Sequence, residues 1–194
     1  YTSYNNLRKY YDAVTQAEGE MLDASYKLEK AEDHFAKMNY LTLERDEEMK
    51  EQYAMLDEVT LYSRDMTLSM FRVEQSVRDF LAELKNENPD SLLEYVTLIR
   101  KAIRTSEEEI AAYADFDGED DLYVEVRDYL EEVNEEIDET LRPLAEQLEN
   151  RYLDEKEYAN AQKELQRFVG RHQNRVESYF DTRSDLIEDY LPEE

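Results

Sequence analysis

Residues 4–38 read YNNLRKYYDAVTQAEGEMLDASYKLEKAEDHFAKM, with apolar or small side chains at Tyr4, Leu7, Tyr11, Val14, Ala17, Met21, Ala24, Leu28, Ala31, Phe35 and Met38. Steps of three and four hold these positions on one side of a 3.6-residue helix, so the stretch predicts one long amphipathic helix. After a weakly signalled turn at Asn39 to Glu44, the pattern resumes at Met49, Tyr53, Leu56, Val59, Tyr62, Met66, Met70, Val73, Val77, Phe80 and Leu84. At 1.5 Å per residue both helices come to about 60 Å, which suits an antiparallel hairpin.

The segment Asn86-Glu87-Asn88-Pro89-Asp90-Ser91 interrupts the pattern, because Pro89 cannot continue a helix and Ser91 with Glu94 offers a capping box for the next one. A third helix is predicted through Leu92, Val96, Ile99, Ile103, Ser106, Ile110 and Tyr113, ended by Asp117-Gly118. The fourth runs through Val126, Tyr129, Val133, Ile137, Leu141, Leu144 and Leu148, with a kink expected at Pro143. A break near Tyr152 to Asp154 precedes the last helix, which Asp154 and Glu157 would cap and which carries Tyr158, Ala161, Leu165, Phe168, His172, Val176, Tyr179, Leu186 and Tyr190. The expected fold is all-α: an elongated antiparallel bundle of about five helices, forming a single domain over residues 1–194.

Composition agrees with helix. Only three Gly and three Pro punctuate 194 residues, and a hydrophobic fraction of 41% is enough to offset the entropy of ordering the chain. The net charge of −27 disfavours nucleic acid and anionic lipid surfaces as partners and leaves a basic protein or a polycation as the expected class. The absence of cysteine excludes disulfides, thiolate catalysis and thiolate-bound zinc within these residues. No apolar run nears the roughly 20 residues that span a bilayer, and Tyr1-Thr2-Ser3-Tyr4 has none of the basic and hydrophobic regions of a signal peptide. A soluble chain that does not span the membrane is therefore expected.

Chemistry is sparsely signalled. Neither His34 nor His172 sits in the Glu-x-x-His pattern of a carboxylate di-iron site, and no phosphate-binding loop or nucleophile elbow is present. His172 lies on the apolar stripe and is expected as a hydrogen-bonded residue at the edge of the core, while His34 reads as surface. Among 50 acidic residues, paired carboxylates arise by chance and do not identify a catalytic dyad. The sequence points away from an enzyme, with no catalytic, cofactor or metal residue assigned. Residues 115–121 crowd carboxylates onto a loop, yet a twelve-residue calcium count from Asp115 puts Asp120 where the turn glycine belongs and Val126 where the closing glutamate belongs. Calcium binding is kept as an alternative function.

Between 117 and 139 twelve acids face one base, Arg127, whereas Lys163, Arg167, Arg171 and Arg175 make a basic stripe on the last helix. The expectation is that this stripe turns toward acidic neighbours inside the bundle; the alternative is a docking edge for an anionic partner. Many of the sixteen tyrosines lie on the helical stripes, where the ring is expected to pack and the hydroxyl to reach the boundary, although a groove of Tyr10, Tyr11, Tyr179 and Tyr190 would form if the chain ends met.

Two stretches, Tyr1-x-x-Tyr4-Asn5-x-Leu7 and Tyr152-Leu153-Asp154-Glu155-Lys156-Glu157-Tyr158 with the helix bearing His172, resemble the YiiG-like putative lipoproteins, a bacterial helical family of unknown function. The acidic middle, 107 to 139, departs from that likeness. The resemblance implies an extracytoplasmic, periplasmic or cell-surface location and a lipid anchor on a cysteine upstream of this chain, and it implies no catalytic residues. The function expected is a non-enzymatic cell-envelope protein with a binding or structural role. An intracellular acidic adaptor or nucleic-acid mimic is the second alternative.

Overall fold

Ser3 opens the first helix: its hydroxyl accepts the Asn6 N–H at 3.3 Å, satisfying one of the donors a helix start leaves free. The structure, a computed structural model, describes residues 3–85, 91–113, 115–149 and 154–192. Helices α1 (Tyr4–Met38), α2 (Glu47–Glu83), α3 (Leu92–Ile110), α4 (Asp121–Glu136), α5 (Arg142–Glu149) and α6 (Glu155–Asp189) follow in order, and a π turn, Ile137–Leu141, joins α4 to α5. Because α4, the π turn and α5 continue one another, the result is an all-α bundle of five rods. No named strand occurs among the described residues.

Helix α2 is the hub, packed against α1, α3, α4 and α6. From Val59 onward its stripe of Val59, Tyr62, Met66, Met70, Val73, Val77 and Phe80 is buried. It meets Leu92, Val96, Ile99, Ile103 and Ile110 of α3 and Leu122, Val126, Val133, Ile137 and Leu141 of the following rod. Each such side chain contributes about 1.5–3 kcal/mol when fully buried, and this cluster is what holds the body together.

The sequence expectation fails at one end. Among the described residues helix α1 packs along α2 alone, and of its stripe only Leu7 is buried, with Ala36 the other buried residue of the helix. Met21, Leu28, Phe35 and Met38, read as core, are 61–70% exposed. The cause is reach: antiparallel pairing sets Tyr4 beside Arg72, Glu18 beside Arg64 and Glu29 beside Lys50, while α6 ends near Tyr62, where Tyr190 and Tyr62 both touch Phe116. The remainder of α1 and the first dozen residues of α2 therefore project beyond the body as a two-helix arm about 27 Å long.

Several local signals read differently in three dimensions. The Ser91 hydroxyl donates to Glu83 at 3.2 Å instead of capping α3, and Glu149 of α5 takes the Leu93 N–H at 3.0 Å in its place. Helix α3 stops at Ile110, before the expected Asp117-Gly118 end. Those two residues, at φ 53° and 89°, form the corner of a tight turn closed by paired Phe116 and Glu119 backbone bonds of 2.9 Å. The kink expected at Pro143 is a π turn just before it, in which Arg142 donates its N–H to the Ile137 carbonyl five residues back. The capping box of α6 is as expected, with Glu157 N–H to Asp154 at 2.8 Å and Asp154 N–H to Glu157 at 3.0 Å. The break expected at Asn86 to Asp90 lies outside the described residues, as do Tyr1, Tyr152 and Leu153 of the family-like stretches.

Candidate functional site

The basic stripe and the acidic run meet where α6 crosses α4. Arg171 clamps the buried carboxylate of Glu136 through Nε at 2.6 Å and Nη2 at 2.9 Å, and Arg175 reaches Glu136 at 3.4 Å and also pairs with Glu132. Burial raises the Glu136 pKa, but hydrogen bonds from Arg171 and Thr140 and the charges of Arg171 and Arg175 outweigh it, so the carboxyl sits below its ordinary range. Arg167 bonds Glu164 of its own helix. Half of the stripe is thus turned inward, as the acid-relief reading expects.

Beside this clamp lies His172, 5% exposed, stacked on Phe168 with centroids 5.7 Å apart and 5.9 Å from the Tyr129 ring. Desolvation, with Arg175 and Arg78 nearby, pushes its pKa down to about 4, against a smaller pull from Glu136. Neither ring nitrogen, nor the Tyr129 hydroxyl, hydrogen-bonds a described residue. The imidazole is a neutral core ring, deeper than the edge position expected from sequence.

The acidic loop is a structural corner. Asp115 accepts the Gly118 N–H at 3.0 Å, and among the described residues no group of three or more His, Asp or Glu is arranged to hold a metal. Aromatic rings anchor the corner: Phe116 lies 5.5 Å from Tyr62 and 5.2 Å from Tyr190, and Tyr113 lies 5.7 Å from Tyr62 while donating its hydroxyl hydrogen to Asp65. Burial pushes the Tyr62 hydroxyl up to about 12, and the bond to Asp65 does the same for Tyr113. The proposed tyrosine groove does not form, because Tyr179 is fully buried with its hydroxyl 2.6 Å from Thr67 and Tyr190 packs on Phe116.

Next to this corner opens a cleft of about 270 Å³ between the start of α4 and the end of α6, lined by Glu119, Asp121, Glu125, Asp185 and Asp189 with Val124, Thr182 and Leu186. Among the described residues five carboxylates line it and no base does, unlike the matched ladder two turns away. Sequence reasoning missed this cleft, since its halves lie some 60 residues apart; the one signal was the lack of a base in the last turn of α6.

On the arm, α1 is held to α2 by Lys50 to Glu29 at 3.1 Å and to the connecting segment by Arg45 to Asp33 at 2.8 Å, with open grooves beside them. One groove, about 460 Å³, is lined by Leu28, Ala31, Glu32, Phe35, Leu43, Glu44 and Arg45. Among the described residues no helix is long and apolar enough to cross a membrane. Comparison with family models, with curated proteins and with solved structures finds no match to this chain.

Proposed function

We propose that the chain is a non-enzymatic binding protein that takes a basic protein segment or polycation in the carboxylate cleft between α4 and α6. The observation that supports this is the unneutralised set Glu119, Asp121, Glu125, Asp185 and Asp189, beside apolar Val124 and Leu186 on which the stems of lysine or arginine can lie. Further along the same helix pair Glu132 and Glu136 are met by Arg171 and Arg175, so an external cation gains more in the cleft than there. The YiiG-like resemblance favours the cell envelope as the place of action, with an anchor supplied by an upstream segment. Fractionation of the full gene product tests that location.

Calorimetric titration with a lysine-rich peptide tests the binding role. Expected is saturable association that weakens with salt and that Asp185→Asn with Asp189→Asn lowers about tenfold, near 1.4 kcal/mol. Equal affinity in the double variant would refute the cleft as the site.

A further inference from the structure

The unpartnered stripe on α1 has an internal order that selects its occupant. Met21, Leu28 and Phe35 recur every seven residues, and Ala17, Ala24 and Ala31 recur every seven residues beside them. All six are exposed, since α2 and the segment that leads into it contact α1 on the neighbouring face through Glu18, Glu29 and Asp33. Two such rows form the seam of a two-stranded coiled coil. In a parallel pair each row meets its own copy, large on large and alanine on alanine. In an antiparallel pair the large row meets the alanine row, and the layers that Met21 and Leu28 form with alanine have similar volume.

Charge points the same way. Between Met21 and Met38 four acids face three bases, so this stretch is nearly neutral in a chain of net charge −27. Along the flank away from α2 the order is acid first and base after: Glu20 and Asp23, then Lys27, Lys30 and Lys37. Antiparallel pairing brings the acidic end of each copy against the basic end of the other, whereas parallel pairing sets like ends together.

From these observations we infer that the α1 arm is a self-association element, which pairs antiparallel with α1 of a second copy through the alternating Met/Leu/Phe and alanine rows. In the register that sets Glu20 beside Lys27, Met21 faces Ala24 of the second copy and Leu28 faces Ala17, while Phe35 falls opposite Tyr10 and Ala31 opposite Val14.

Sedimentation equilibrium of the full chain from about 1 to 200 µM should show a concentration-dependent dimer. Leu28→Glu and Ala24→Glu change exposed side chains and should keep the helical circular dichroism while weakening the dimer at least about tenfold. A spin label on Lys37→Cys should lie about 40 Å from its twin in an antiparallel pair, from 29 residues at 1.5 Å each, and under about 20 Å in a parallel one. A monomer at every concentration, unchanged dimerisation in both folded variants, or a short label distance would each overturn the inference. These readouts are independent of cation binding in the α4–α6 cleft.

Discussion

His172 couples packing to pH. The ring is neutral and desolvated in the fold, with its pKa near 4 against an ordinary 6.5, and it is faced by Arg175 of its own helix, Arg78 of α2 and Glu136 of α4. Acid therefore protonates the unfolded chain first. The stability tied to this residue is complete above about pH 6.5 and falls as pH drops toward 4. Between pH 7 and 5 the loss is about 2 kcal/mol. Urea denaturation at both pH values, compared with His172→Gln, isolates it from the surface carboxylates; parallel slopes in the two proteins would show that the imidazole is not desolvated. Arg64, buried and paired bidentately with Glu18 at 2.5 and 2.6 Å, plays a different part at this scale by fixing α1 to α2 at the root of the arm. Glu18 is half exposed, so Arg64→Ala should cost only about 1–2 kcal/mol. It should nevertheless raise amide exchange throughout α1, and exchange confined to the first turn would contradict this anchoring.

Helix α1 separates what an amphipathic pattern says from what it leaves open. Its stripe is as regular as that of α2, yet Phe35 is 61% exposed and Phe80 fully buried. For dilute protein, Phe35→Ala should change unfolding free energy by less than about 0.5 kcal/mol, and Phe80→Ala should cost about 3–5 kcal/mol. Comparable losses would mean that the arm packs as part of the core. The extents of α1, α2 and α6, the α6 capping box and the apolar stripe from Leu92 to Ile110 were legible because each depends on neighbouring residues alone. The arm was not, because a seven-residue repeat shows that a face seeks a partner without showing whether the same chain supplies it. Ser91 misled because its hydroxyl is taken by Glu83. The π turn did leave a trace: Tyr129, Val133, Ile137 and Leu141 advance by three consecutive fours, more than an α-helix can keep on one face, and the wider turn restores Leu141 and Leu144 to the core. The carboxylate cleft was illegible for a further reason, since its parts meet only through the crossing of α4 and α6.

Over the whole molecule, the fold answers a charge of −27 only in part. Arg64, Arg72, Arg171 and Arg175 are committed to carboxylates of neighbouring helices, whereas the α4–α6 cleft and the exposed Glu131, Glu135 and Glu139 keep theirs. Added salt acts on both populations. It screens unmatched carboxylates from one another, which favours the compact state, and it weakens ion pairs that reach solvent, such as Lys27–Asp23. Exposed pairs are worth about 0–1 kcal/mol each, and part-buried pairs such as Arg175–Glu136 are screened less. Repulsion should therefore dominate the balance. Raising sodium chloride from about 0.01 to 0.5 M, where the Debye length falls from about 30 Å to a few ångströms, should raise the thermal midpoint of dilute protein. Removing cleft charge by Asp185→Asn with Asp189→Asn should raise the low-salt midpoint and shrink the salt response. A midpoint that falls with salt would mean that matched pairs, not unmatched carboxylates, set the stability of this bundle.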